Sequence, residues 1–154
     1  MNVTLYDIGL RFVGMKEVPG QASNPAILAM LKLDQDWPTG DEVPWCSGAL
    51  NYWAWLLRLP RSKSLSARSW LGVGTPVNYN TASAAYDVCV FWRGASDDGT
   101  TGHVGLFAGR EPGRVLVLGG NQGDSVSIAP FPTERLLGVR RLRVHNRDFD
   151  EFES

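Results

Sequence analysis

The sequence predicts an α+β domain: helices come first and pack on a mostly antiparallel β-sheet formed by the later part of the chain. Apolar residues recur at helical spacing between Val3 and Leu59. From Tyr86 onward the period changes to alternation, the pattern of half-buried strands. Asp97-Asp98-Gly99 and Glu111-Pro112-Gly113 then supply turns of the kind that join neighbouring antiparallel strands. With 154 residues, 44% of them hydrophobic, the chain is long enough for one substantial core. The expected organisation is one domain over residues 1–144 and a charged tail over 145–154 that lacks a core pattern.

In chain order, Leu5, Ile8, Phe12 and Val13 mark a first helix, with Gly14 as its stop. Lys16-Glu17-Val18-Pro19-Gly20 is a loop by its Pro-Gly pair. Asn24-Pro25 reads as an N-cap followed by proline at the first helical position, opening a second helix that ends near Leu33. Asp34 to Glu42 is an acidic, turn-rich approach to a third helix, from Cys46 to Leu59, stopped by Pro60. A short helical turn follows at Ala67 to Leu71. Gly72 to Ala84 reads as a long surface connection. Candidate strands are Val88–Trp92, His103–Ala108, Arg114–Leu118, Ser125–Ile128 and Leu137–Val144.

Charge and composition exclude several functions. The formal charge is -1, without the basic excess of a nucleic-acid binder. Two cysteines and two histidines fall short of an ordinary structural zinc site without carboxylate help, and of a disulfide-stapled scaffold. No metal or cofactor is expected. No run approaches the roughly 18 apolar residues that span a membrane, and the first residues lack the pattern of a signal peptide. Stable membrane association is not expected.

Chemistry concentrates at Cys46, in the first turn of the third helix. The N–H groups and dipole at a helix start favour negative charge and pull a thiol toward the thiolate, the attacking form. On a helical wheel Cys46 shares the buried stripe with Ala49, Leu50, Trp53, Leu56 and Leu57. That direction suits an inert core cysteine, and equally a nucleophile facing a partner on the sheet. A nucleophile needs a base. His145 sits beside the charged tail, whereas His103 lies in Gly102-His103-Val104-Gly105, where glycines mark close approach of a backbone or ligand. Antiparallel pairing brings Leu118-Gly119-Gly120-Asn121-Gln122 across from the start of the His103 strand. Asn121 or Gln122 could then accept a ring N–H. Cys89 alternates within a strand and reads as a small core residue.

Trp45-Cys46-Ser47-Gly48-Ala49, Gly102-His103-Val104-Gly105 and Leu118-Gly119-Gly120-Asn121-Gln122 together resemble the three motifs of the NlpC-type and CHAP-type cysteine peptidases, papain-like enzymes of bacterial cell walls. Asp87-Val88-Cys89-Val90-Phe91-Trp92 is similar to the strand before their histidine. The resemblance runs from about Lys16 to Leu142 and is similar to the short versions found in phage lysis proteins. It implies Cys46 as nucleophile, His103 as base and Asn121 as the orienting third residue. Two positions depart from the pattern: Trp45 stands where NlpC-type members usually carry aspartate, and Gly119 where many CHAP-type members carry glutamate. Some CHAP-type enzymes bind calcium upstream of the cysteine. Asp34, Asp36, Asp41 and Glu42 do not match that spacing and read as a solvated acidic loop.

The function implied is hydrolysis of an amide bond in peptidoglycan, either the N-acetylmuramoyl-L-alanine bond or one in the stem or cross-bridge peptide. Trp45, Gln122, Trp55 and Trp70 are the expected substrate contacts. The expected setting is a phage endolysin, a monomer held in the host bacterial cytoplasm until a holin lesion admits it to the periplasm or wall. The alternatives are an interbacterial wall-degrading effector and, in another class, a catalytically silent phage structural or adaptor protein.

Overall fold

The computed structural model describes residues 2–19, 23–41 and 43–143. The tail 145–154, His145 and Glu42 lie outside them. Helix α1, Leu5–Leu10, starts at a reciprocal cap in which the Thr4 side chain accepts from the Asp7 N–H and Asp7 accepts from the Thr4 N–H. Helix α2, Pro25–Leu31, is capped by Asn24 with Pro25 in its first turn. Helix α3 spans Cys46–Leu56 and ends three residues short of the expected Leu59. Arg58 adopts a left-handed φ of 55°, and Leu59 N–H donates to Ala54 O, a reversal that closes the helix before Pro60 can.

Among the described residues six strands form one antiparallel sheet. They are β1 Thr75–Val77, β2 Asp87–Trp92, β3 Gly102–Glu111, β4 Arg114–Gly119, β5 Ser127–Pro132 and β6 Leu136–Arg141, in the order β1-β6-β2-β3-β4-β5. Prolines fall on the two edges, Pro76 in β1 and Pro130 and Pro132 in β5, where a missing N–H costs no ladder bond. The connection after Gly72 runs mostly exposed, as a surface connection would, and contributes β1 and a 3-10 turn, Tyr79–Thr81. Strand β5 begins two residues later than expected and runs to Pro132.

The sheet separates two apolar layers. The larger lies under the helices and joins Leu5, Ile27, Leu31, Cys46, Ala49, Leu50 and Trp53 to Val88, Val90, Val104, Leu106 and Leu118. The smaller lies on the other face and contains Cys89, Phe91, Phe107, Val115, Val117 and Val139. At the β1–β6 side Asp87, 1% exposed, holds Arg141 through both carboxylate oxygens at 2.7 and 2.9 Å and accepts the Ser83 N–H. No helix among the described residues is long and apolar enough to cross a membrane.

Candidate active site

Helix α3 opens without a side-chain cap, so its first N–H groups remain free around Cys46. Its polar side is anchored instead. Ser47 Oγ donates to Ser64 O at 2.6 Å, Trp70 Nε1 donates to Ser47 Oγ at 2.8 Å, and Asn51 Nδ2 donates to Ser47 O and Ser64 O. This buried network ties the loop after Pro60 along the helix and fixes where the helix starts. Cys46 is 5% exposed and belongs to the layer between helices and sheet. Val104 of β3 belongs to the same layer, so the thiol faces the start of that strand.

His103 is 1% exposed, and its ring occupies the opposite layer. There it stacks on Phe131, centroids 4.7 Å apart and planes 10° apart, beside Phe91, its cross-strand partner. Among the described residues no hydrogen bond joins Cys46 to His103; the 103–104 peptide stands between the layers they occupy.

Of the two amides considered for the ring, Gln122 and not Asn121 is its hydrogen-bond partner. His103 Nε2 lies 2.8 Å from Gln122 Oε1, and Asn121 makes no bond to the ring. Chain geometry explains this. After β4 ends at Gly119, Asn121 takes a left-handed φ of 57°, which asparagine tolerates, and the reversal turns residue 122 toward β3. Gly119 also makes room, since a Cβ there would sit 2.6 Å from Gln122 Oε1. The space beside His103 that Gly119 leaves open is thus filled from three residues further on. Gly105 likewise admits Val117, whose side chain would collide with a Cβ at that position.

The amide orientation follows from its other partners. Gln122 Nε2 donates to Val117 O at 3.0 Å and Ser127 O at 2.8 Å, so Oε1 must face His103 as an acceptor. The imidazole therefore carries its proton on Nε2, leaving Nδ1 as a basic lone pair. The loop holding Gln122 is braced by residues 14–17: Val126 N–H donates to Met15 O, Glu17 N–H donates to Asp124 O, and Lys16 bridges to Ser125.

Electrostatics reverse the simple expectation for the thiol. Burial pushes the Cys46 thiol up, outweighing the N–H groups of Val104, Ser47 and Cys46 and the charge of Arg93, which pull it down. The helix-start effect exists, and desolvation exceeds it. Burial likewise lowers His103 to about 4, with the Gln122 hydrogen bond acting against the shift and Arg93 adding to it. The resting pair is neutral thiol and neutral imidazole. Cys89 lies in the other layer, is 0% exposed and is pushed up to about 12, mainly by burial; both cysteines are free.

Of the four expected substrate contacts, three are buried and hydrogen-bonded within the fold and the fourth is exposed on α3. Trp45 is 0% exposed, with Nε1 donating to Glu17 Oε1 at 2.7 Å. Trp70 is 0% exposed and serves the Ser47 network. Gln122, 7% exposed, is spent on His103 and two carbonyls. Trp55 is 48% exposed but borders a hollow of about 570 Å³ with Leu56, Arg58 and Lys63 at the far end of α3. At about 1.5 Å per residue that places it roughly 13 Å along the helix from Cys46. The acidic approach is less solvated than expected: Asp41, 2% exposed, accepts the Val18 and Asn24 N–H groups, and Asp34 pairs with Arg61 at 2.7 Å. Among the described residues no three His, Cys, Asp or Glu side chains converge as a metal site.

As described, the thiol and the imidazole are both neutral, lie in opposite layers of the sheet and share no hydrogen bond, so transfer of the thiol proton to the imidazole requires the two side chains to be brought together. No protein-family model matches the chain, and no curated protein matches it. Among solved structures it is similar to NlpC1 from Trichomonas vaginalis, with 15% sequence identity and a TM-score of 0.55. The match covers 89% of this chain and 42% of that one, so this chain spans less than half of that protein's length. At this identity the likeness is one of fold, and the fold of the chain is NlpC-like.

Proposed function

We propose that the chain is a cysteine-dependent hydrolase of amide bonds in bacterial peptidoglycan, with Cys46 as nucleophile, His103 as base and Gln122 as the residue that orients His103. The observation that carries this reading is the Gln122 amide, locked by two carbonyls so that His103 presents Nδ1 as its base.

In the proposed reaction, which requires the two side chains to be brought to one face of the sheet, Cys46 sulfur bonds to the carbonyl carbon while its proton moves to His103 Nδ1. The tetrahedral oxyanion is met by the Cys46 N–H at the start of α3. His103 returns the proton to the departing amine as the carbon–nitrogen bond breaks, leaving a thioester. Water, deprotonated by His103, then releases the acid and regenerates the thiol. The bond is the muramoyl–L-alanine amide or one in the stem or cross-bridge peptide. The setting we propose is phage lysis, with storage in the host cytoplasm, holin-dependent access to the wall, and action as a monomer.

A silent structural protein on the same fold is the second reading, favoured by the missing Cys46–His103 hydrogen bond. Release of soluble fragments from purified sacculi separates the two. Wild type is expected to solubilise them, and Cys46→Ala and His103→Ala to be slower by several orders of magnitude. Equal clearance by all three, or none by wild type on sacculi of any cross-link type, defeats the proposal.

A further inference from the structure

Two parts of the candidate site come from distant stretches of chain. Cys46 starts α3 and Gln122 lies in the loop after β4, so their relative position depends on whatever joins helix start to loop. Trp45, directly before Cys46, occupies the N-cap position of α3 but makes no capping bond with its side chain. Its ring instead lies over the backbone of Gly120, where an added Cβ would sit 2.6 Å from a ring carbon and 3.0 Å from Ala49 Cβ. Gly120 stands two residues before Gln122. The ring is therefore a spacer packed between the helix start and the loop.

Glu17 holds both that spacer and the loop. Its carboxylate accepts the Trp45 Nε1–H at 2.7 Å, and its own backbone N–H donates to Asp124 O at 2.9 Å. Beside it, Lys16 bridges to Ser125, whose carbonyl accepts the Gln122 N–H at 3.0 Å. A carboxylate acceptor makes the indole bond charge-assisted, the shorter and stronger kind. Burial of an indole does not by itself demand such a partner in this fold. Trp53, equally 0% exposed on α3, has an Nε1–H with no partner among the described residues. The two fully buried indoles that do have side-chain partners, Trp45 and Trp70, both act on the first turn of α3, Trp70 through Ser47.

We infer that Glu17 is a positioning residue, locking the turn that carries Cys46 to the loop that carries Gln122 and, through Gln122, setting the aim of His103. This rests on the hydrolase reading above. Glu17 acts through the Trp45 indole and Asp124 and takes no proton in the reaction. Removing its carboxylate leaves a buried indole N–H unpaired and frees the ring to shift on Gly120, which moves the helix start against the loop. Misplacement of a reacting group by about 1 Å costs on the order of 100-fold in rate.

The test measures kcat and KM on soluble fragments of sonicated sacculi, read as new amine ends, well below each variant's melting temperature. Glu17→Ala is expected to lower kcat about 10- to 100-fold with KM within about twofold of wild type, because binding is untouched and alignment is not. Glu17→Gln keeps an amide oxygen for the indole and should recover most of the rate. Trp45→Phe keeps a ring over Gly120 but has no N–H to hold, so adding Glu17→Ala to it should cost little more than Trp45→Phe alone. Wild-type kcat in Glu17→Ala, no recovery in Glu17→Gln, or full multiplication of the two single losses overturns the inference and leaves the hydrolase reading standing. If Glu17→Ala fails to fold, Trp45→Phe carries the test: a lowered kcat at unchanged KM supports the inference, and a wild-type kcat overturns it. No new ends from wild type, on these fragments or on intact sacculi, overturns both.

Discussion

Replacing Gln122 by alanine separates a positioning network from a simple core filler. The side chain satisfies three groups: the His103 Nε2–H, Val117 O and Ser127 O, at 2.8, 3.0 and 2.8 Å. Each buried polar group left without a partner costs about 1–3 kcal/mol, and a water entering the vacated space recovers part of it. Gln122→Ala should therefore lose about 2–5 kcal/mol of stability in urea unfolding. Fragment release from sacculi, measured well below the melting temperature, should fall roughly 10²- to 10⁴-fold, because the ring loses both its tautomer and its aim. Gln122→Glu separates the two effects. It keeps an acceptor for His103 but sets a carboxylate against two carbonyls, so it should be unstable yet more active than Gln122→Ala. A Gln122→Ala protein with wild-type rate and wild-type stability would refute the reasoning.

Other outcomes follow from the same contacts. His103 is held near 4 by burial while an unfolded histidine titrates near 6.5, so the unfolded chain binds more protons between those values. Stability should therefore fall as pH drops from 6.5 to 4, by about 3 kcal/mol in all, and His103→Asn should lack that component in urea titrations. The acid limb of kcat/KM should likewise lie nearer pH 4 than 6.5. Gly119→Ala puts a Cβ 2.6 Å from Gln122 Oε1 and should cut the rate of fragment release more than it lowers the melting temperature; unchanged kinetics would count against the Gln122 role. Iodoacetamide should label Cys46 slowly at neutral pH and faster in alkali, and Cys89 only on unfolding, as read by peptide mass mapping. Asp87→Ala leaves Arg141 without its partner and should cost about 3 kcal/mol in chemical unfolding with no direct effect on the site.

Much of the fold is legible in local chemistry. Asn24 before an apolar period reads as a cap residue and Pro25 fits a first helical turn, whereas the Thr4 cap came only from the structure. The change to alternation after Tyr86 marks the sheet, and the turn residues give its antiparallel sense. What stayed hidden depends on distant contacts. β1 is three residues with a proline at its centre, a pattern that reads as loop until β6 lies beside it. Trp45 and Trp70 sit in the motif and the following turn, and no spacing rule says whether such a ring meets substrate or core; Glu17 and Ser47 decide it here. Asn121 and Gln122 were both candidates for the imidazole. The available signal was turn chemistry, because asparagine before Gln-Gly is suited to positive φ and glutamine is not. The sign of the Cys46 shift was out of reach altogether, since a helix start is local and desolvation is not.

The most direct test of the central claim is mass spectrometry of the fragments that the protein releases from purified sacculi. New amine and carboxyl ends at a single type of amide bond, formed by wild type and absent with Cys46→Ala, are the predicted result. The claim is contradicted if the Cys46→Ala protein generates the same ends, or if wild type releases fragments cut at glycosidic bonds alone.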